Sequence, residues 1–246
     1  MILLLALTAC SPYRDIEDRW TATRAVCQPP EPFVRDYIDP DSYDPLTDAC
    51  RERLAQDFGV AEVFDSMKVR EYVFEALFNL LGRDQGTVHD LEVGEYVRQP
   101  FIDAMTEQAE ALETDDLGQL LYNFSAFHIA LIIDDTSINE GFRYVDEEQA
   151  MLVNKTFEVE QDAALPNGSG WATFVVHEAS HAVVPGHVLC PDWGTPNCDA
   201  DWTGAYGFQV ATAWRLHEHC DVDADTYNCS LLRDELEDSR ERILAD

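Results

Sequence analysis

The stretch HEASH, residues 177–181, constrains this chain more than any other feature of its sequence. On a helix, two histidines four residues apart lie on the same face, so both imidazole rings can reach one ion. The apolar residues WATFVV precede the motif, which indicates a helix packed into a core, and Ser169 can cap its start. Because proline disfavours helical backbone in the residue before it, Pro185 predicts that the helix ends at Val184.

The spacing of HEASH meets the requirements of a zinc site that activates water. His177 and His181 can serve as two zinc ligands, and Glu178 projects beside the same face of the helix. A bound Zn2+ lowers the pKa of water to about 7, and a carboxylate at this place can take the proton as general base. The sequence therefore predicts Zn2+ as cofactor, His177 and His181 as ligands, and Glu178 as a catalytic residue.

Several residues further along the chain can supply the third protein ligand of a catalytic zinc. His187 stands ten residues after His177, and the intervening Pro-Gly step can turn the chain back towards the metal. Asp199 and Asp201 in the next loop are alternatives, as is Glu218 in a following helix. A loop position, a hydrogen bond to a ligand histidine or a solvated helix end would explain the same residues without a metal. The residues alone leave His187, the two aspartates and Glu218 open as the third ligand.

The motif on its helix resembles that of the zincin metallopeptidases, and the match covers His177, Glu178 and His181. The predicted order of a strand followed by this helix also agrees with zincins. His187 falls at the last position of the metzincin pattern HExxHxxGxxH, with Val184 where that pattern has glycine. The resemblance implies a zincin-like catalytic region that hydrolyses peptide bonds.

The segment 194–207, GTPNCDADWTGAYG, is loosely similar to the aspzincin pattern GTxxDxxYG, with Thr203 at the aspartate position. A histidine before CP, then CD and GAYG, is also the order in uncharacterised bacterial exported proteins that have a HEARH-like helix. That likeness favours His187 over the aspartates as the third ligand. In aspzincins and metzincins a tyrosine donates a hydrogen bond to the developing oxyanion. That likeness implies the same role for Tyr206, for which a core tyrosine on a helix over 204–219 is the alternative.

These resemblances imply a zinc-dependent metallopeptidase that acts on a peptide or protein substrate. Two other functions fit the same residues. One is a non-catalytic acidic surface lipoprotein whose HEASH segment holds a structural or vestigial metal, and the other is a zinc amidohydrolase with a non-peptide substrate. A closed site with four protein ligands would indicate the structural function.

The chain is strongly acidic, with 48 Asp and Glu against 16 Lys and Arg and a net charge of −32. Such a surface repels phosphate backbones, so nucleic acid is not an expected partner. The segment DVDADT, residues 221–226, has oxygen ligands at alternate positions and suits weak calcium binding. It does not form an EF-hand, because Thr226 and Leu232 stand where that loop needs glycine and glutamate.

The N-terminal stretch MILLLALTAC, residues 1–10, resembles the lipobox of bacterial lipoproteins through its last four residues. The resemblance implies removal of residues 1–9, a lipid on Cys10 that attaches the chain to a membrane, and a place in the bacterial cell envelope. Export to an oxidising compartment predicts disulfides. Because short loops close at low entropic cost, the remaining cysteines are expected to pair locally, as 27–50, 190–198 and 220–229.

The fold is predicted to be α+β and mostly helical, with a small sheet. After the signal at 1–10, the residues 11–45 are rich in proline and acids and suit a tether or an irregular wrap. Residues 46–135 have helical periodicity, and 136–246 are predicted to form the zincin-like metal-binding region. The span 46–246 can be one domain.

Start and stop signals divide these regions into elements. We expect a first helix capped by Ser66, a second that Pro100 opens, and a third, capped by Asp115 or Asp116, that runs to Leu131 with His128 in the core. One or two strands are expected within 138–160, followed by helices at 204–219 and 230–246.

Overall fold

The computed structural model shows a mostly helical chain with a small mixed sheet, which is the α+β class that the sequence predicts. It describes residues 19–29, 46–82, 86–93, 97–138, 141–154, 168–184, 186–192, 194–218 and 226–244. The helices are α1 (Arg19–Cys27), α2 (Asp48–Phe58), α3 (Met67–Leu80), α4 (Val88–Val93), α5 (Gln99–Leu112), α6 (Leu117–His128), α7 (Gly168–Ser180), α8 (Ala205–Glu218) and α9 (Thr226–Glu241). The strands are β1 (Leu131–Asp134), β2 (Phe142–Val145), β3 (Ala150–Val153), β4 (Val188–Leu189) and β5 (Pro196–Cys198).

Three helix starts lie where the capping signals predict them. The Ser66 side chain accepts a hydrogen bond from the amide of Val69 at 3.3 Å and begins α3. The Asp116 carboxylate accepts one from the amide of Gln119 at 2.8 Å and begins α6. Pro100 occupies the first turn of α5. Each signal works because the first amides of a helix have no partner within the helix.

The strands predicted within 138–160 are confirmed as β2 and β3. β3 lies in the middle of a three-stranded sheet, with β1 parallel on one side and β2 antiparallel on the other. A second, two-stranded sheet consists of β4 and β5, which run antiparallel.

β1 differs from the prediction, which continued the third helix to Leu131. The helix α6 ends at His128, which is buried as expected, and Leu131 begins a strand. Ile132 also has a backbone hydrogen-bond partner on the side away from β3: its carbonyl accepts from the amide of Ala61 at 2.9 Å. Leucines and isoleucines at helical spacing also suit a buried strand, and distant backbone partners decide between the two.

The segment 11–45 is not wholly a tether or irregular wrap, because it contains α1. The disulfide Cys27–Cys50 joins α1 to α2, and the guanidinium of Arg19 donates to the carbonyl of Asp57 at 2.9 Å. Residues 1–18 and 30–45 lie outside the described residues, and with them the lipobox and Cys10.

α7 lies at the centre of the fold, in contact with α3, α6, α8 and α9. It buries Trp171, Val175, Val176 and Ala179, so buried side chains from both halves of the chain form one core. In the part of the chain that the structure describes, no helix has the length and apolar character needed to span a bilayer.

Two of the predicted disulfides, 27–50 and 190–198, are confirmed. Cys229 is also disulfide-bonded, and its predicted partner Cys220 lies outside the described residues. The calcium prediction for 221–226 falls almost entirely on residues 221–225, which are likewise not described.

Candidate metal centre

The central helix α7 carries the motif that the sequence singles out. Trp171 packs between the rings of Tyr72 and Phe142 and fixes the start of the helix in the core. His177 and Glu178 are buried near its end, with 5% and 7% of their surface exposed. The α-helix ends at Ser180, earlier than the predicted Val184, and the chain continues in turns that keep His181 beside His177.

A disulfide-closed hairpin brings His187 back towards α7. His187 immediately precedes β4, and the disulfide Cys190–Cys198 ties β4 to β5. Val188 pairs with Cys198 across the hairpin, so His187 and Asp199 stand opposite each other just outside it. The hairpin that follows Gly186 therefore returns the chain towards α7, while Pro185 lies outside the described residues.

The three histidines form a compact group of nitrogen donors. Their ring centroids are 5.0 Å apart for His177 and His181, 5.1 Å for His177 and His187, and 4.8 Å for His181 and His187. One donor atom of each lies within 4.8 Å of the other two, so the group could hold a metal ion. Among the described residues, no carboxylate or cysteine belongs to this group.

The distance between two of these donors matches that of metal ligands. The Nε2 atoms of His177 and His187 are 3.1 Å apart. Two nitrogens at the usual bond length of a tetrahedral zinc would be separated by about 3.3 Å. The donor set and its spacing therefore fit a divalent transition metal that accepts imidazole ligands.

Asp199 lies behind His187 and is not one of the grouped donors. Its Oδ1 accepts from Nδ1 of His187 at 2.8 Å, and its Oδ2 accepts from the backbone amide of Tyr206 at 2.6 Å. The carboxylate rests against Gly204, where any added Cβ would collide with it. Asp199 therefore orients His187 and directs its Nε2 towards His177.

The other two alternative ligands lie away from the group. The Asp201 side chain is exposed and accepts from the amide and hydroxyl of Thr203 ahead of α8. Glu218 is exposed at the end of α8, 3.6 Å from the ring of His217.

Tyr206 packs its ring on the histidines, 4.7 Å from His177 and 5.0 Å from His187 between centroids. Its hydroxyl donates to Oδ1 of Asn197 at 2.7 Å and accepts from the guanidinium of Arg242 at 3.1 Å. Burial raises the pKa of Tyr206 to about 12, although the charge of Arg242 opposes this. The hydroxyl therefore keeps its proton near neutral pH and can act as a hydrogen-bond donor.

Burial keeps two of the imidazoles neutral. It lowers the pKa of His177 well below the usual value, and the neighbouring His181 and His187 lower it further. It also lowers the pKa of His181 to about 4. Neutral rings offer the lone pair that a metal needs, so binding at pH 7 does not require these two groups to lose a proton.

An open cleft of about 710 Å³ leads to the histidines. β2 forms one wall, and the side chains of Glu178, Tyr206 and Arg242 line it together with the three rings. Glu178 and the histidines therefore share one space in which a ligand can sit.

Sequence reasoning missed several polar residues of this cleft, among them Gln209, Glu235 and Arg242. Gln209 had a usable signal, because it is a polar residue within the otherwise apolar stretch of α8 and is buried. Glu235 and Arg242 belong to a helix and a turn crowded with charges, where the pattern alone does not separate them from solvated residues.

Comparisons of this chain with protein-family models, with curated proteins and with solved structures find no match.

Proposed function

We propose that this protein is a zinc-dependent hydrolase that cleaves peptide bonds, with His177, His181 and His187 as the metal ligands. One observation carries the proposal: one donor nitrogen from each of the three histidines lies within 4.8 Å of the other two, in a cleft that Glu178 also lines. When bound, zinc would polarise a carbonyl group and lower the pKa of water.

The chain's own residues would supply the proton transfers and the hydrogen bonds. Glu178 accepts a proton from the attacking water and later returns it to the leaving amine. Tyr206 donates from its protonated hydroxyl to the oxygen that becomes negative, once that hydroxyl exchanges Asn197 for the substrate. Its ring contacts with His177 and His187 support this role over that of a core tyrosine remote from the site.

The number of ligands supports a catalytic site over a structural one. Structural zinc sites are closed by four protein ligands, whereas catalytic sites keep one position open. The described residues supply three histidines to the group, and an accessible cleft adjoins them.

A strand that lines the cleft supports an extended peptide as substrate. β2 lies at the edge of the three-stranded sheet, and its residues Phe142, Arg143 and Tyr144 line the cleft. Extended segments commonly bind beside strands, where alternate side chains enter separate pockets. A non-peptide amide is the competing substrate, and the experiment below includes it.

The experiment is zinc analysis and hydrolysis of an unbiased peptide library by the purified chain and two variants. Glu178→Gln is expected to bind one zinc as wild type does, and to lose at least about 100-fold in activity. Glu237→Gln, at an exposed position of α9, is the matched control and should behave as wild type. The mechanism is wrong if Glu178→Gln cleaves as fast as wild type. Turnover of simple amides but not of peptides would assign the amidohydrolase function instead.

We also propose that the protein works outside the cytoplasm, attached by lipid at Cys10. The disulfides support export, because cytosolic proteins seldom keep them. Mass spectrometry of the N-terminal peptide tests the anchor: a peptide that begins at Cys10 and carries acyl chains is expected, and an unmodified Cys10 would contradict it.

A further inference from the structure

A chain of polar side chains beside the histidines connects α8 and α9, and two of its members, Gln209 and Glu235, line the cleft. Nε2 of Gln209 donates to Oε1 of Glu235 at 2.5 Å, and the hydroxyl of Ser239 donates to the same oxygen at 3.1 Å. Gln209 and Ser239 are almost fully buried, with 2% and 1% of their surface exposed. Such a chain is costly to bury unless its groups are paired, so its unpaired end is informative.

That end, the carbonyl oxygen of Gln209, belongs to a residue that lines the same cleft as the first motif histidine. Nδ1 of His177 and Oε1 of Gln209 are both buried, and neither has a hydrogen bond of standard geometry. Burial lowers the pKa of His177, and a hydrogen bond with the Gln209 side chain acts in the opposite direction because it favours the protonated ring. If Nδ1 of His177 carries a proton, it can donate a hydrogen bond to the carbonyl oxygen of Gln209, and both buried atoms are then paired.

A glutamine has a donor end and an acceptor end, and fixing one fixes the other. Because the carboxylate of Glu235 holds the amino end of Gln209, the carbonyl end is left for His177. An acceptor beside Nδ1 requires the proton of a neutral imidazole to be on Nδ1, which leaves Nε2 with its lone pair.

We propose that Glu235 and Gln209 are positioning residues that set the tautomer of His177 for metal binding. The inference rests on the proposed metal site but not on peptide hydrolysis. Asp199 does the same for His187, since its carboxylate accepts from Nδ1 of that ring. Two lone pairs then meet at 3.1 Å between the Nε2 atoms, an arrangement that repels unless a proton or a metal cation lies between them.

The test measures the tautomer directly in the metal-free full chain. Long-range nitrogen–proton NMR at pH 7 separates the two nitrogens of His177, and chelator competition gives the zinc Kd. In Glu235→Gln the new side-chain amide at position 235 can donate as well as accept a hydrogen bond. The amide of Gln209 is therefore no longer held in one orientation. We expect a rise in the Nε2-protonated form of His177 and a 10- to 100-fold weaker Kd, the usual effect of removing such a partner.

Two further variants keep the test decisive. Glu237→Gln changes an exposed residue of the same helix and should leave the tautomer and the Kd unchanged. Gln209→Met keeps the volume but removes both polar ends, and is expected to reproduce the effect if Glu235→Gln does not fold. A folded variant of Glu235 or Gln209 with the wild-type tautomer of His177 and a Kd within twofold of wild type would overturn the proposal. Neither readout needs a substrate, so a failure of the peptidase function would leave this result standing.

Discussion

Replacing Asp199 with asparagine should weaken metal binding without removing any ligand. The carboxylate serves two buried donors at once, Nδ1 of His187 at 2.8 Å and the backbone amide of Tyr206 at 2.6 Å. Asparagine has nearly the same shape but only one acceptor end, while its other end is a donor.

Either orientation of the new amide leaves a conflict. If its oxygen stays on the amide of Tyr206, its amino group faces Nδ1 of His187 and favours the tautomer with the proton on Nε2, the nitrogen that should bind the metal. If the amide is reversed, two donors meet at Tyr206. Asp199 is only 3% exposed, so water cannot relieve the mismatch, which costs about 1–3 kcal/mol.

Chelator competition for zinc provides the assay. A penalty of this size corresponds to a Kd roughly 10- to 100-fold weaker, which agrees with the usual effect of losing a hydrogen bond to a ligand histidine. Asp201→Asn is the matched control, because Asp201 is exposed and its carboxylate accepts from the amide and hydroxyl of Thr203 in the same turn, so the Kd of this variant should be unchanged. If Asp199→Asn binds zinc within twofold of wild type, Asp199 does not orient His187 as described.

Two further outcomes follow from the same structure. Tyr206→Phe keeps the ring contacts with His177 but removes the donor, so we expect kcat to fall about 100-fold with zinc affinity unchanged, and kcat near the wild-type value would rule out the oxyanion role. Burial lowers the pKa of His128 from 6.5 to about 4, so between these values the unfolded chain binds a proton that the folded chain does not, and stability falls as the pH falls. Relative to His128→Phe, whose ring cannot titrate, wild type should lose up to about 3 kcal/mol in the free energy of unfolding between pH 7 and pH 4, whereas a constant difference in urea titrations would contradict this.

Local signals predicted the parts of the fold that local interactions determine. Ser66 and Asp116 cap helices because their side chains reach amides three residues ahead, and the 190–198 disulfide closes a loop short enough to pair readily. β1 could not be predicted in this way. Whether Leu131 continues a helix or begins a strand depends on backbone partners at Ala61 and in β3, which are distant in sequence.

The same distinction between local and distant interactions applies to the residues of the candidate site. His177, Glu178 and His181 are neighbours on one helix, so their relation is visible in five letters of sequence. Glu235 lies more than fifty residues away, and only the packing of α9 on α8 brings its carboxylate to Gln209.

The hairpin explains why the sequence left the third ligand undecided. His187 and Asp199 flank paired strand residues, Val188 and Cys198, so the backbone brings both to the metal centre and both look like ligands in the sequence. The two side chains differ in how far they reach towards α7. The imidazole of His187 extends until its Nε2 is 3.1 Å from that of His177, whereas the shorter carboxylate of Asp199 ends at the far nitrogen of the same ring. The amide of Tyr206 holds the second oxygen of that carboxylate, so Asp199 cannot turn towards the metal without leaving a buried donor unpaired. A histidine in position to coordinate a metal and an aspartate that orients it are therefore two consequences of one strand register.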